Sequence, residues 1–151
     1  MIKASPINPN LLIAPQSVFA VGTVYALTNT AAKLDFGTTD PTLVIPAPGV
    51  WLLLARVLLN YNGATFAAVR TATLKLRRTN NTAADVTNGS VALKTQIITT
   101  LTFSMPTAAW QVLYTTANSD DLLELWGSLD VVPTAGSLDA AEASIVACKV
   151  G

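Results

Sequence analysis

Residues 43–59 read LVIPAPGVWLLLARVLL, and this stretch decides what kind of fold the chain adopts. Pro46 and Pro48 each remove a backbone donor and fix φ, so neither a helix nor a central strand runs through them. Gly49 then opens a run, 50–59, that is apolar at almost every position. Read as a strand, it points Val50, Leu52 and Leu54 one way and Trp51, Leu53, Ala55 and Val57 the other. A strand of a free-standing sandwich buries one face and wets the other, so two apolar faces require cover on both. The set Trp51, Leu53 and Val57 is therefore expected to pack against a neighbouring subunit, at roughly 1.5–3 kcal/mol per large side chain. Cover by an arm or loop of the same chain is the alternative. The run is too short to span a bilayer and has Arg56 inside it.

Working outward, short strands alternate with turn residues. Residues 17–28 give a first strand, and 34–36 and 42–45 give short ones, with turns at Gly37 and at Asp40-Pro41. Asn62-Gly63 and Asn88-Gly89 are tight-turn signals. In 69–78, Val69, Thr71, Thr73, Lys75 and Arg77 share one face and Ala72, Leu74 and Leu76 the other, while 79–85 is a polar loop. Residues 91–103 give one or two strands, and 109–116, 122–129 and 143–150 complete the set, with a turn at 118–120 and a Pro/Gly loop at 132–137. Residues 139–143 are the one place where a helical turn is expected. A sandwich or barrel follows from this spacing.

Composition supports that class. The chain has 151 residues, 51% hydrophobic and 12% charged, about half the charge of an ordinary globular domain. Thr is abundant, at 20 residues, and favours strands. The hydrophobicity excludes a disordered chain. The net charge of zero argues against a nucleic-acid partner. A lone soluble monomer shows a more charged surface, so partner chains are expected to cover part of this one. The neutrality is a sum of opposites: residues 1–84 carry net +5 and residues 85–151 carry net −5. Complementary pairing between strands or subunits, or an edge guarded by charge, is the expected use of Arg70, Lys75, Arg77 and Arg78.

Residues 1–17, MIKASPINPNLLIAPQS, hold Pro6, Pro9 and Pro15 and read as an extended arm before a domain at 18–151. Ile2, Ile7, Leu11, Leu12 and Ile13 make it apolar, so it is expected to clasp a neighbouring subunit or an underlying protein surface, or else to fold back on its own domain. No run in it is long enough for the apolar region of a secretory signal.

The stretch that opens this reading resembles a known family. Leu43-Val-Ile-Pro-Ala-Pro-Gly49-Val-Trp51-Leu-Leu-Leu is similar to the turn and aromatic-plus-aliphatic strand of C1q/TNF-like domains. Residues 110–129, two apolar strands joined by Asn118-Ser119-Asp120-Asp121 and continuing Leu122-Leu-Glu-Leu-Trp126, resemble that family's penultimate hairpin, and 143–150 its final strand. The family's C-terminal aromatic-Gly ending is replaced here by Cys148-Lys149-Val150-Gly151. The resemblance implies an all-β, antiparallel, two-sheet jelly-roll sandwich that assembles as a homotrimer. Domains of this look also occur in bacteriophage virions as capsid decoration proteins, head fibres and tail tips. The single Cys, the absence of a secretion signal and the Pro-containing arm resemble that branch more than the secreted animal one.

Candidate chemistry is sparse. The chain has no His, which removes Ser-His-Asp and Cys-His catalysis and the common zinc sites. No phosphate loop or nucleophile elbow occurs, so no enzyme and no cofactor are expected. Asp120, Asp121 and Glu124 form a candidate Ca²⁺ cluster, against the plainer reading of turn capping. Glu124 and Glu142 are the only pair of Glu residues for glycosidase work. Trp51, Trp110 and Trp126 form a sugar platform or else core anchors. Cys148 is expected to be a free, buried thiol. The expectation is thus a structural virion protein on the capsid surface, a trimer that cements a phage head by holding the major capsid protein through residues 1–17, with no nucleic-acid or membrane partner. The alternative is a receptor-binding or fibre-tip module that contacts a cell-surface glycan through loops such as 79–90.

Overall fold

The computed structural model describes residues 13–37, 39–95, 98–99, 103–104 and 107–151, with backbone alone at 98–99 and 103–104. All its regular elements are strands: β1 Gln16–Ala26, β2 Ala32–Lys33, β3 Thr42–Ile45, β4 Gly49–Phe66, β5 Thr71–Arg78, β6 Ala84–Lys94, β7 Ile98–Thr99, β8 Phe103–Ser104, β9 Ala108–Thr116, β10 Asp121–Leu129 and β11 Ala135–Lys149. They form two antiparallel sheets, as a jelly roll requires. The first runs β1-β11-β4, and β9, β8 and β7 pair in turn along the far edge of β4. The second runs β10-β5-β6, with β2 and β3 sharing the other edge of β10.

The inner faces of the two sheets make one core. From the first sheet come Trp51, Leu53, Val57, Leu59, Tyr61, Ile145 and Leu138; from the second, Leu74, Leu76, Leu123, Leu125 and Ile45. Alternation in β5 is as the sequence predicts, with Ala72, Leu74 and Leu76 buried. Trp51, Leu53 and Val57 are 0% exposed in this single chain. They therefore do not form a surface for a neighbouring subunit: the second sheet covers them, and Trp51 Nε1 donates to Ala47 O at 3.1 Å. The face of β4 left open is the other one.

Two turn expectations are corrected. Asn62-Gly63 does not end a strand, because β4 runs on to Phe66 and both residues oppose Ser137 in a bulge. Gly63 and Gly136 face each other there at φ +59° and +65°, and a Cβ on Gly136 would come within 2.2 Å of Gly63. Asn88-Gly89 likewise lies inside β6, where Asn88 takes φ +58° and a Cβ on Gly89 would sit 2.8 Å from that of Val86. The expected helical turn at 139–143 is strand, with a register shift between Ala140 and Glu142. Packing against β1 and β4 on both sides outweighs the helix propensity of its alanines.

Of the expected arm, Ile2, Ile7, Leu11 and Leu12 lie outside the described residues. Ile13 is half-buried and packs on the core of its own chain. Among the described residues, the first strand begins at Gln16.

Candidate functional site

Among the described residues, the outer face of the first sheet carries four exposed large apolar side chains. Strand register places its side chains in rows. Ser17, Val146, Leu54 and Gln111 make one row; Phe19, Ser144, Arg56 and Ala109 make the next. Cys148, Leu52 and Leu113 flank them on one side, and Val21, Glu142 and Leu58 on the other. Phe19, Val21, Leu54 and Leu113 are 53%, 50%, 40% and 64% exposed. A groove of about 350 Å³ runs between Leu54, Arg56, Gln111 and Val146. The charged pair Arg56–Glu142, at 3.7 Å, lies on this face. Cys148 is a free thiol here, half-buried rather than enclosed.

The outer face of the second sheet is built of partnered polar groups. Lys75 Nζ and Arg77 Nη1 both reach Asp85, at 2.7 and 3.0 Å. The Arg77 guanidinium also lies over the Trp126 ring, 4.9 Å from its centre, and Trp126 Nε1 donates to Glu124 Oε2 at 3.1 Å. Lys33 pairs with Asp40, and Lys94 Nζ donates to Thr71 Oγ1 at 2.7 Å. The Lys75 hydrogen bond holds the Asp85 carboxyl below the usual carboxylate range despite partial desolvation. Bases of residues 1–84 thus meet acids of 85–151 within one chain, at Lys75, Arg77, Arg56 and Arg78.

The residues of the candidate Ca²⁺ cluster point in three directions. Asp120 is exposed in the turn at φ +115°, Glu124 lies on the outer face, and Asp121 faces inward at 0% exposure. The carboxylate of Asp121 is already filled: it accepts from Tyr114 Oη at 2.6 Å, from Thr116 Oγ1, and from Asn81 and Asn118 Nδ2 at 3.1 Å each. Arg78 Nη1 stands 3.8 Å away. Burial pushes the Asp121 carboxyl up, but these hydrogen bonds outweigh it and hold it below its usual value. Burial and the bond to Asp121 raise the Tyr114 hydroxyl. Asp121 is a tie between the sheets, since β9 supplies Tyr114 and Thr116 while β10 supplies the carboxylate. No group of three or more acidic or thiol ligands gathers among the described residues.

Glu124 and Glu142 sit on the outer faces of different sheets and share no cleft. The tryptophans are likewise dispersed: Trp51 in the core, Trp110 packed against it with Nε1 on Gly89 O at 3.1 Å, Trp126 outside under Arg77. The sequence reading missed Asn80 and Asn81. Asn80 clamps the 118–122 turn by donating to Asp120 O and accepting from Leu122 N, both at 2.7 Å. Their signal is the positive φ of Asn81 and Thr82 in the β5–β6 loop, a conformation Asn tolerates.

A second cavity, of about 380 Å³, opens between the β6 and β9 edges and is lined by Arg78, Asp85, Thr87, Leu113, Tyr114 and Thr115.

No protein-family model and no curated protein matches the chain. Solved structures match it in fold. The globular domain of zebrafish complement 1qA protein aligns at TM-score 0.52 and 10% identity, over 91% of this chain and 96% of that one. The Eiger TNF from S. frugiperda aligns at TM-score 0.53 and 13% identity, over 91% and 94%. The chain therefore has the C1q/TNF jelly-roll fold.

Proposed function

We propose that the chain is a structural, non-enzymatic module of a bacteriophage virion: a homotrimer that decorates the capsid surface and cements it, with residues 1–17 holding the major capsid protein. The observation that carries the assembly half of this reading is the apolar outer face of the first sheet. Burying Phe19, Val21, Leu54 and Leu113 contributes roughly 1.5–3 kcal/mol for each side chain taken fully out of water. A contiguous exposed apolar patch on a soluble domain marks an interaction site. Trimeric closure rests on the resemblance to C1q/TNF-like domains. The virion placement rests on the arm and on the charge-poor, cysteine-poor composition.

Two measurements test the two halves. Sedimentation of the purified full chain is expected to give a trimer, and a stable monomer in dilute solution overturns the assembly. Deletion of residues 2–16 is expected to abolish binding to capsids, and native affinity in the truncated protein overturns the arm's role.

A second reading, a receptor-binding or fibre-tip module for a cell-surface glycan, draws on the cavity beside residues 84–87. Arg78, Asp85 and threonine hydroxyls offer donors and acceptors there, beside the exposed Leu113. Copy number on the particle separates the readings: hundreds for decoration, a few to tens for a tip.

A further inference from the structure

The chain has two Asn-Gly steps, 62–63 and 88–89. Such a step carries a reaction of its own. The backbone nitrogen of the glycine can attack the side-chain carbonyl carbon of the asparagine, and glycine has no Cβ to shield that nitrogen. In a folded chain the rate is set by how readily the local backbone opens and turns to bring the two atoms together.

The fold treats the two steps differently. Asn62-Gly63 lies inside β4, which pairs with β11 on one side and with β7 and β8 on the other. Both residues oppose Ser137, and Gly136 is packed directly on Gly63. That step cannot turn without opening the centre of the first sheet. Asn88-Gly89 lies in β6, the end strand of the second sheet. The register there jumps from Asp85 opposite Arg77 to Ser90 opposite Lys75, so residues 86–89 have no partner on β5. Asn88 is exposed at φ +58°, and no hydrogen bond to a described residue holds its side chain. Trp110 Nε1 does hold Gly89 O, at 3.1 Å. That oxygen belongs to the peptide unit after Gly89, whereas the unit that must turn is the one before it.

We propose that Asn88 is a site of spontaneous covalent modification, deamidation through a cyclic imide with Gly89. The Gly89 nitrogen bonds to Cγ of Asn88, the Cγ–Nδ2 bond breaks, and the nitrogen leaves as ammonia with the proton that Gly89 gives up. Water then opens the imide. Cleavage of the new N–Cγ bond leaves an aspartate, and cleavage on the main-chain side leaves an isoaspartate. Nothing is oxidised or reduced, and water is the only co-reactant. Either product adds a negative charge to a chain of net charge zero, next to Thr87 of the cavity between β6 and β9. The isoaspartate also lengthens the main chain by one carbon, in a stretch whose lack of ladder partners leaves room for it. The site lies on the other sheet from the apolar face and depends on neither assembly nor a virion.

The test is storage of the folded full chain in mildly alkaline buffer over weeks, followed by ion exchange and by peptide mapping that separates aspartate from isoaspartate. Conversion is expected at Asn88, with a more acidic species growing in step, at a rate about tenfold or more above that at Asn62. Asn88→Gly removes the amide while suiting the left-handed backbone, and is expected to abolish that species. The proposal is overturned if the folded chain leaves Asn88 intact while the urea-unfolded chain converts it. Equal conversion at Asn62 and Asn88 overturns it too, as does an undiminished acidic species in Asn88→Gly.

Discussion

The two sheets of this sandwich share a core and differ on their outer faces. The second sheet satisfies itself: Lys75, Arg77, Asp85, Glu124 and Trp126 form a closed set of ion pairs, a hydrogen bond and a cation–π contact. The first sheet presents Phe19, Val21, Leu54 and Leu113 to solvent with the Arg56–Glu142 pair among them. The charge deficit of the whole chain is thus a local property. Polar groups that could have solubilised the first sheet are placed on the second, where they bond to one another. A face whose groups are already partnered has little to gain from a neighbour, whereas an apolar face gains in proportion to the area it loses to water.

The largest expected effect follows from that contrast. The double substitution Leu54→Glu with Leu113→Glu puts two charges on the first sheet's outer face without touching the core. Sedimentation is expected to show complete loss of the oligomer, while circular dichroism shows an unchanged sheet. The matching change on the second sheet, Arg77→Ala with Trp126→Ala, is expected to leave the oligomer intact. Reversal of the two outcomes breaks the comparison.

Between the two faces stands Asp121, where the sheets are joined. Asp121→Ala leaves Tyr114, Thr116, Asn81 and Asn118 without their acceptor, and is expected to cost about 3 kcal/mol or more in denaturant unfolding at neutral pH. The folded carboxyl titrates below its unfolded value. Its stabilisation is therefore full above the unfolded-state pKa of about 3.9 and is lost as pH falls through and below that value. The gap between the natural chain and Asp121→Ala is expected to narrow as acid is added, and a gap independent of pH would show that the charge contributes nothing.

Much of this was legible in the residues. Alternation in 71–78, the turn at 118–120 and the strand after Gly49 were all readable, because each is fixed by a local period or by turn chemistry. Asn62-Gly63 and Asn88-Gly89 misled, since a bulge and a hairpin turn both call for left-handed backbone, and only the partner strand decides which forms. Trp51, Leu53 and Val57 misled for a related reason. A strand apolar on both faces reveals that each needs cover, but which face meets the chain's own second sheet depends on strand order across the sandwich. The clasp of Asn80 and Asn81 on residues 120–122 joins residues about forty positions apart, and Asn60 and Asp139, paired across β4 and β11, lie further apart still. Neither leaves a periodic trace.

A moderate effect is expected on the second sheet. Trp126→Ala removes the cation–π contact with Arg77 and the bond to Glu124, at about 1 kcal/mol for groups still partly in water. The smallest effect belongs to the first sheet's Arg56–Glu142 ion pair, and it carries the sharper information. Arg56 and Glu142 are 3.7 Å apart, with side chains 46% and 34% exposed. Such a pair is worth at most about 0.5 kcal/mol while water screens it. Arg56→Ala in the dissociated Leu54→Glu, Leu113→Glu background should therefore leave the unfolding free energy almost unchanged. In the proposed oligomer the same pair would lose its water, and removing one partner would strand a buried Glu142, which costs several times more. If Arg56→Ala weakens the assembled protein no more than the dissociated one, the pair does not lie within the covered face. The interface would then have to be drawn away from the row Phe19, Ser144, Arg56 and Ala109, toward Leu52 and Leu113 at the other end of the sheet.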